Sequence, residues 1–203
     1  MLFTTRRRAI ITLSIFLILL LYLTRSFSIL IPFSITIIAL LLFYYIDASF
    51  KFNFPERFYI YIFLIFVFGT IIGADFTNFG FYYRLDFYDK ILHFVGPFLL
   101  TAIMFFIINR LDITFKWKAL ISFGLIFGIL GLFEIGEYLS DQFFGTLLQG
   151  VYTFDLVERI KLEAVLTPID DTMQDLIYGL LGNALYVGYR SLMLFFEHRK
   201  IHP

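Results

Sequence analysis

"DDTMQDLIYGLLGNAL", Asp170 to Leu185, sets three carboxylates at the mouth of a strongly apolar segment. Asp171 and Asp175 stand four residues apart, so they share a face if the segment is helical. The fold turns on whether such a helix lies in a soluble core or in a membrane. Of 203 residues, 60% are hydrophobic, 21% aromatic and only 16% charged, with a mean hydropathy of +0.86. A soluble domain is roughly half apolar and about a quarter charged. This composition, with its long apolar runs, predicts an all-α, polytopic integral membrane protein. The formal net charge is zero, which gives no electrostatic case for a nucleic-acid partner. The chain has no cysteine, so disulfides, thiolate metal sites and a Cys nucleophile are excluded. "RRRAIITLSIFLILLLYL", Arg6 to Leu23, has a basic flank and an apolar run but no small-residue cleavage site. It reads as a retained anchor.

About six transmembrane helices are expected in a single domain, near 9–24, 29–46, 58–73, 90–108, 118–138 and 172–195. Residues 1–57 would form an N-terminal two-helix hairpin, and 58–203 the part that bears helices three to six and an outer loop, 139–170. Pro32 suits a first helical turn, where its missing N–H costs nothing. Eleven of the sixteen Lys and Arg fall on the side that holds the N-terminus, so both termini are expected in the cytoplasm and the loop outside. Phe and Tyr crowd Asp75–Lys90, as in an interfacial aromatic belt. The core of the outer loop, "FDLVERIKLEAVL", could be an interfacial amphipathic helix or a short hairpin. Gly96, Gly124, Gly128, Gly131, Gly136, Gly179, Gly182 and Gly188 predict close packing of spans four to six. Pro97 predicts a kink one turn below His93.

Three polar pairs occur at helical spacing: Asp89 with His93, Glu134 with Glu137, and Asp171 with Asp175. Span four enters from the side that span five reaches and span six leaves. All three pairs therefore lie at one depth, just below the outer surface, in a polar site between helices four, five and six. Five acids beside one imidazole repel each other unless a cation or shared protons intervene. Hard oxygen donors with a single His suit Mg, Mn, Zn or Fe, and facing helices in bundles build metal centres this way. The simpler alternative is that Asp86, Asp89, Asp170 and Asp171 cap helix N-termini. Capping does not account for Asp175, a turn deeper, or for His93. Glu134 and Glu137, expected at the C-terminal end of span five, would oppose the helix dipole. Lys90 and Arg84 are candidate counter-charges for a metal-free ion-pair network.

"FYDKILHFVGPF" (Phe87–Phe98), "FEIGEY" (Phe133–Tyr138) and "DDTMQDLIYGLLGNAL" resemble the motifs of the YjdF family of polytopic inner-membrane proteins of unknown function. They resemble the VanZ-like family, linked to glycopeptide resistance, more loosely. The resemblance covers about Tyr88 to Leu185. It selects Asp89, His93, Glu134, Glu137, Asp171, Thr172, Gln174 and Asp175. Met173 stands where the YjdF pattern usually has the Gln itself.

Two functional classes follow. One is a metal-dependent hydrolase or transferase in which Asp89, His93, Glu134 and Asp175 hold a divalent metal ion, Mg, Mn, Zn or Fe. Glu137 or Asp171 would then be general base. The substrate would be a membrane lipid or lipid-linked envelope precursor reaching the site laterally. The other is an ion- or proton-coupled transporter, or a non-catalytic scaffold in which the acids only pair and cap. No GxSxG, P-loop or HExxH pattern is present, so no reaction class is read from a motif.

Overall fold

A computed structural model describes residues 30–73, 81–85, 87–146, 148–155 and 160–201. The expected first span, the segment Asp75–Gly80 and the proposed cap Asp86 lie outside these residues. The described chain is mostly helical. Helices α1 (Leu30–Phe50) and α2 (Glu56–Phe66) are followed by π-helical turns over Val67–Ile72 and a one-turn helix, α3 (Phe81–Arg84). Then come α4 (Tyr88–Ile108), α5 (Phe115–Phe144), an antiparallel pair β1 (Val151–Asp155) and β2 (Ile160–Leu166), and α6 (Pro168–Ile201). Among the described residues, α4, α5 and residues Pro32–Phe50 of α1 are long and apolar enough to cross a membrane. The expected span 58–73 coincides with α2 and the π turns, and 172–195 lies inside α6. The chain divides into two compact units, one ending at Tyr88 and one beginning at Asp89.

In the first unit, Pro32 does sit in the opening turn of α1. Phe33, Val67 and Ile71 form its buried core. Thr36 and Thr70 meet hydroxyl to hydroxyl at 3.3 Å, and each also bonds a carbonyl four residues back. In lipid such back-bonding satisfies a polar group that water cannot reach. The turn from α1 to α2 takes two non-glycine residues, Lys51 (φ 53°) and Asn53 (φ 50°), through the left-handed region. Buried Asp47 holds that turn. Its Oδ1 accepts the Phe54 N–H at 3.1 Å and its Oδ2 the Tyr59 hydroxyl at 2.5 Å.

In the second unit, α4 continues through Pro97. Pro97 has no N–H to offer the His93 carbonyl, and α6 passes close by at that level. A Cβ on Gly179 would lie 3.4 Å from the His93 oxygen, and one on Gly182 only 2.0 Å from the Phe94 oxygen. The expected glycine packing is therefore real for α6 against α4. It does not hold on α5, where Gly124, Gly128, Gly131 and Gly136 face open space, nor at Gly96 and Gly188. Below this crossing Asn183 ties three helices together. Its amide donates to the Phe123 carbonyl at 2.8 Å, and its oxygen accepts the Thr101 hydroxyl at 2.9 Å.

Helix α5 corrects one expectation. It runs to Phe144 and stops at Gly145, whose φ of 63° and N–H bond to the Asp141 carbonyl make a left-handed cap. Glu134 and Glu137 consequently lie inside the helix, well before its end. The apolar run fades near Leu139, but a helix ends where its cap is. The Asp141 side chain then gathers the following turn, accepting the Thr146 hydroxyl and the N–H groups of Leu148 and Gln149. The outer loop leads into the β1–β2 pair, so of its two expected forms the hairpin is the one adopted.

Candidate functional site

The site is built from the first turns of α4 and α6 and the middle of α5. Thr167 caps α6: its hydroxyl oxygen accepts the Asp170 N–H at 3.3 Å and its O–H donates to the Asp170 carboxylate at 2.6 Å. This is the N-cap half of a capping box, with the return contact made to the Thr167 hydroxyl and not to its backbone N–H. Asp170 is thus exposed and local, but the capping residue is Thr167 and not Asp170 itself. Asp171, one residue on, is turned inward instead. One of its oxygens accepts from the Lys90 ammonium, and the other accepts the Gly150 N–H at 2.8 Å. Asp175, one turn deeper and 1% exposed, accepts from Lys90 at 2.7 Å. Asp89 lies 3.4 Å from the same nitrogen.

Lys90 is thus the hub of the cluster, with a side chain only 7% exposed. Sequence reading offered it as a counter-charge but did not place it at the centre. Adjacent residues on a helix point in different directions; the Lys90 ammonium reaches the Asp89 face because its stem is long and flexible. Arg84, the other candidate counter-charge, belongs to the other unit and is exposed.

His93 stands between two carboxylates. Its Nε2 is 3.6 Å from Asp89 Oδ1 and its Nδ1 is 3.6 Å from Glu134 Oε1. The Phe133 ring packs edge-on against the imidazole at 5.9 Å. The Glu134 side chain is 5% exposed, and neither of its oxygens has a hydrogen-bond partner among the described residues. The Thr172 hydroxyl accepts from the Gln149 amide at 2.8 Å and keeps its own proton to donate; it faces Glu134 without closing a bond of ordinary length. Glu137 is half-buried and feels the charges of Glu134, Asp89, Asp175 and Asp171. It makes neither hydrogen bond nor ion pair among the described residues.

Ligand atoms of Asp89, His93 and Asp175 all lie within 4.8 Å of one another, close enough to share a metal ion. Glu134, expected as a fourth ligand, instead faces the far nitrogen of His93. The α5–β1 turn joins the site at its rim through Gly150 and Gln149. That contact had no signal in the sequence beyond the length of the loop.

The family described as "predicted membrane protein (DUF2238)" matches residues 6–194. The chain belongs to that family. Neither the curated proteins nor the solved structures contain a significant match to it. The DUF2238 match spans all three polar pairs and nearly every described helix, so the cluster lies within the family domain. Family membership and the three apolar helices together make this a membrane protein.

Proposed function

We propose that this DUF2238 protein binds a divalent cation through Asp89, His93 Nε2 and Asp175, and uses it on a membrane lipid or lipid-linked substrate. The single observation that carries the reading is Glu134, a buried carboxylate that faces His93 Nδ1 at 3.6 Å and closes no hydrogen bond among the described residues. A metal-bound imidazole donates its other N–H to a carboxylate, which fixes the ring and strengthens it as a ligand. Glu134 stands where that carboxylate belongs and needs a shift of only a few tenths of an ångström to accept the bond. Mg, Mn, Zn or Fe suits two carboxylates and one imidazole. When bound, such an ion supplies Lewis acidity toward a phosphoryl or carbonyl oxygen.

Glu137 is the favoured general base, because both oxygens of Asp171 are already committed to Lys90 and Gly150. The motif resemblance to YjdF-like and VanZ-like proteins agrees with a shared site and names no reaction. Helix length supports a site at headgroup depth. At about 1.5 Å per residue, the 30 residues of α5 extend about 45 Å, against a hydrocarbon core of about 30 Å. The ten residues after Glu134 include Ser140, Asp141 and Gln142, which suit the interface. With six spans and both termini inside, that face is extracytoplasmic.

A second reading is a metal-free ion-pair network, favoured by the bonds of Lys90 to Asp171 and Asp175. The transporter reading is weaker. The next polar layer inward, Thr101, Asn183 and Ser122, holds no ionisable group.

Elemental analysis of the purified protein, with Mn²⁺ titration monitored by thermal unfolding, tests the proposal. Stoichiometric metal, or a Tm raised by Mn²⁺, is expected in the wild type and lost in His93→Ala and Asp175→Ala. No metal and an unmoved Tm would leave the ion-pair network as the answer.

A further inference from the structure

We infer that Lys90 is a tethered counter-ion occupying the cation site, which a divalent ion must displace, and that Lys90 thereby sets how tightly the site binds metal. This rests on the metal reading above and adds a residue to it. Two of the three candidate ligands are the partners Lys90 already holds: Asp175 at 2.7 Å and Asp89 at 3.4 Å. An ammonium and a metal ion cannot both take those oxygens at bonding distance, since two cations that close repel strongly in a low-dielectric site.

The geometry also provides a place for the displaced ammonium. Asp171 lies outside the trio of ligand residues and already bonds Lys90. Its other oxygen is fixed by the Gly150 N–H, so it does not follow the metal. Lys90 can therefore release Asp89 and Asp175 while keeping Asp171. Charge balance favours the exchange. Five carboxylates, Asp89, Glu134, Glu137, Asp171 and Asp175, influence one another here, and one ammonium offsets only part of their formal charge. Glu134 makes no bond to Lys90 among the described residues and marks the same site from the other side of His93.

The arrangement has a consequence for selectivity. A tethered ammonium competes at high local concentration with any free monovalent ion. A divalent ion gains roughly twice the Coulomb attraction to each carboxylate that a monovalent ion does, which offsets more of its desolvation. Lys90 thus works as a filter for charge as well as a stand-in for the metal.

The test is Mn²⁺ affinity, by equilibrium dialysis, of the full-length wild type and of Lys90→Met. Removing the competitor should tighten Kd by about tenfold or more. Generic electrostatics also predicts some tightening, so a second variant isolates occupancy. In Lys90→Ala, added propylammonium should restore the lost Tm and weaken Mn²⁺ binding in proportion to its concentration, as a competitor for one place does. Equal Kd values for wild type and Lys90→Met, or propylammonium without effect on Mn²⁺ binding to Lys90→Ala, overturns the inference and leaves the metal reading standing. Mn²⁺ binding to none of the three proteins overturns the metal reading itself. Should the variants fail to fold alone, purification with Mn²⁺ present is the same test. Folded protein is expected, and continued failure overturns the inference.

Discussion

Asp47 in the first unit and Asp175 in the second are equally hidden, each 1% exposed, yet their partners differ in kind. Asp47 accepts from neutral donors close in sequence, the Phe54 N–H and the Tyr59 hydroxyl. Those bonds close the turn that carries two left-handed residues. Asp175 accepts from an ammonium 85 residues away, which it shares with two other aspartates. In the same cluster, facing His93, stands a glutamate that closes no hydrogen bond among the described residues. A carboxylate that holds a turn is satisfied where it stands. Carboxylates gathered from three helices around too little positive charge strain the fold, and such excess is expected where a ligand supplies what the chain does not. If this contrast is right, variants in the first region should lose stability alone, and variants in the second should exchange stability against cation binding.

The largest effect should come from Lys90→Met in the absence of divalent metal. Taking one partner from a buried ion pair leaves uncompensated charge and costs about 3–5 kcal/mol. Thermal unfolding should show a large fall in Tm, and Mn²⁺ should recover most of it. A loss that no divalent ion recovers would make Lys90 a purely structural partner and erase the contrast with Asp47.

Tyr59→Phe is the matched perturbation of the first region. It removes a hydroxyl bonded to a buried carboxylate, worth about 1.5–3 kcal/mol. Tm should fall by the corresponding few degrees, while the Kd for Mn²⁺ stays at the wild-type value. A shift in Kd would mean that the two regions are coupled.

These two variants also mark what was legible beforehand. The pairs Asp89/His93 and Asp171/Asp175 could be read because helical spacing puts each on one face, and the order of spans put them at one level. The turn around Asp47 could not be read. It depends on Lys51 and Asn53 adopting a conformation that neither residue prefers, and only the folded turn brings Tyr59 back to Asp47. The end of α5 was misplaced for a related reason. Apolar patterning reports the lipid boundary, whereas Gly145 and Asp141 decide where the helix stops. The turn residues Gln149 and Gly150 reach the cluster from a turn that Asp141 holds through the Leu148 and Gln149 N–H groups.

Glu134→Gln should separate the two kinds of carboxylate with little change in stability. The substitution preserves shape and removes one of several crowded buried acids, so Tm should hold or rise slightly. If Glu134 orients a metal-bound His93, Mn²⁺ affinity should nevertheless drop by about 10- to 100-fold, the usual effect of losing a carboxylate behind a ligating His. Full Mn²⁺ affinity in this variant would remove the observation on which the metal reading chiefly stands.

The smallest effect, and the sharpest control, is Thr101→Val. Thr101 and Asn183 are fully buried in the same unit as the cluster and on two of the same helices. Location alone would therefore group them with Asp175. Their hydrogen bonds group them with Asp47: Thr101 donates to Asn183 and contacts the Pro97 carbonyl, and Asn183 donates to Phe123. Interhelical hydrogen bonds between neutral side chains in membranes contribute about 0.6 kcal/mol on average. Thr101→Val should accordingly lower Tm by only a degree or two and leave Mn²⁺ affinity untouched. Were this neutral tie to change affinity as Glu134→Gln does, the dividing line would be distance from the site, and satisfaction of the buried group would not be what distinguishes Asp47 from Asp175.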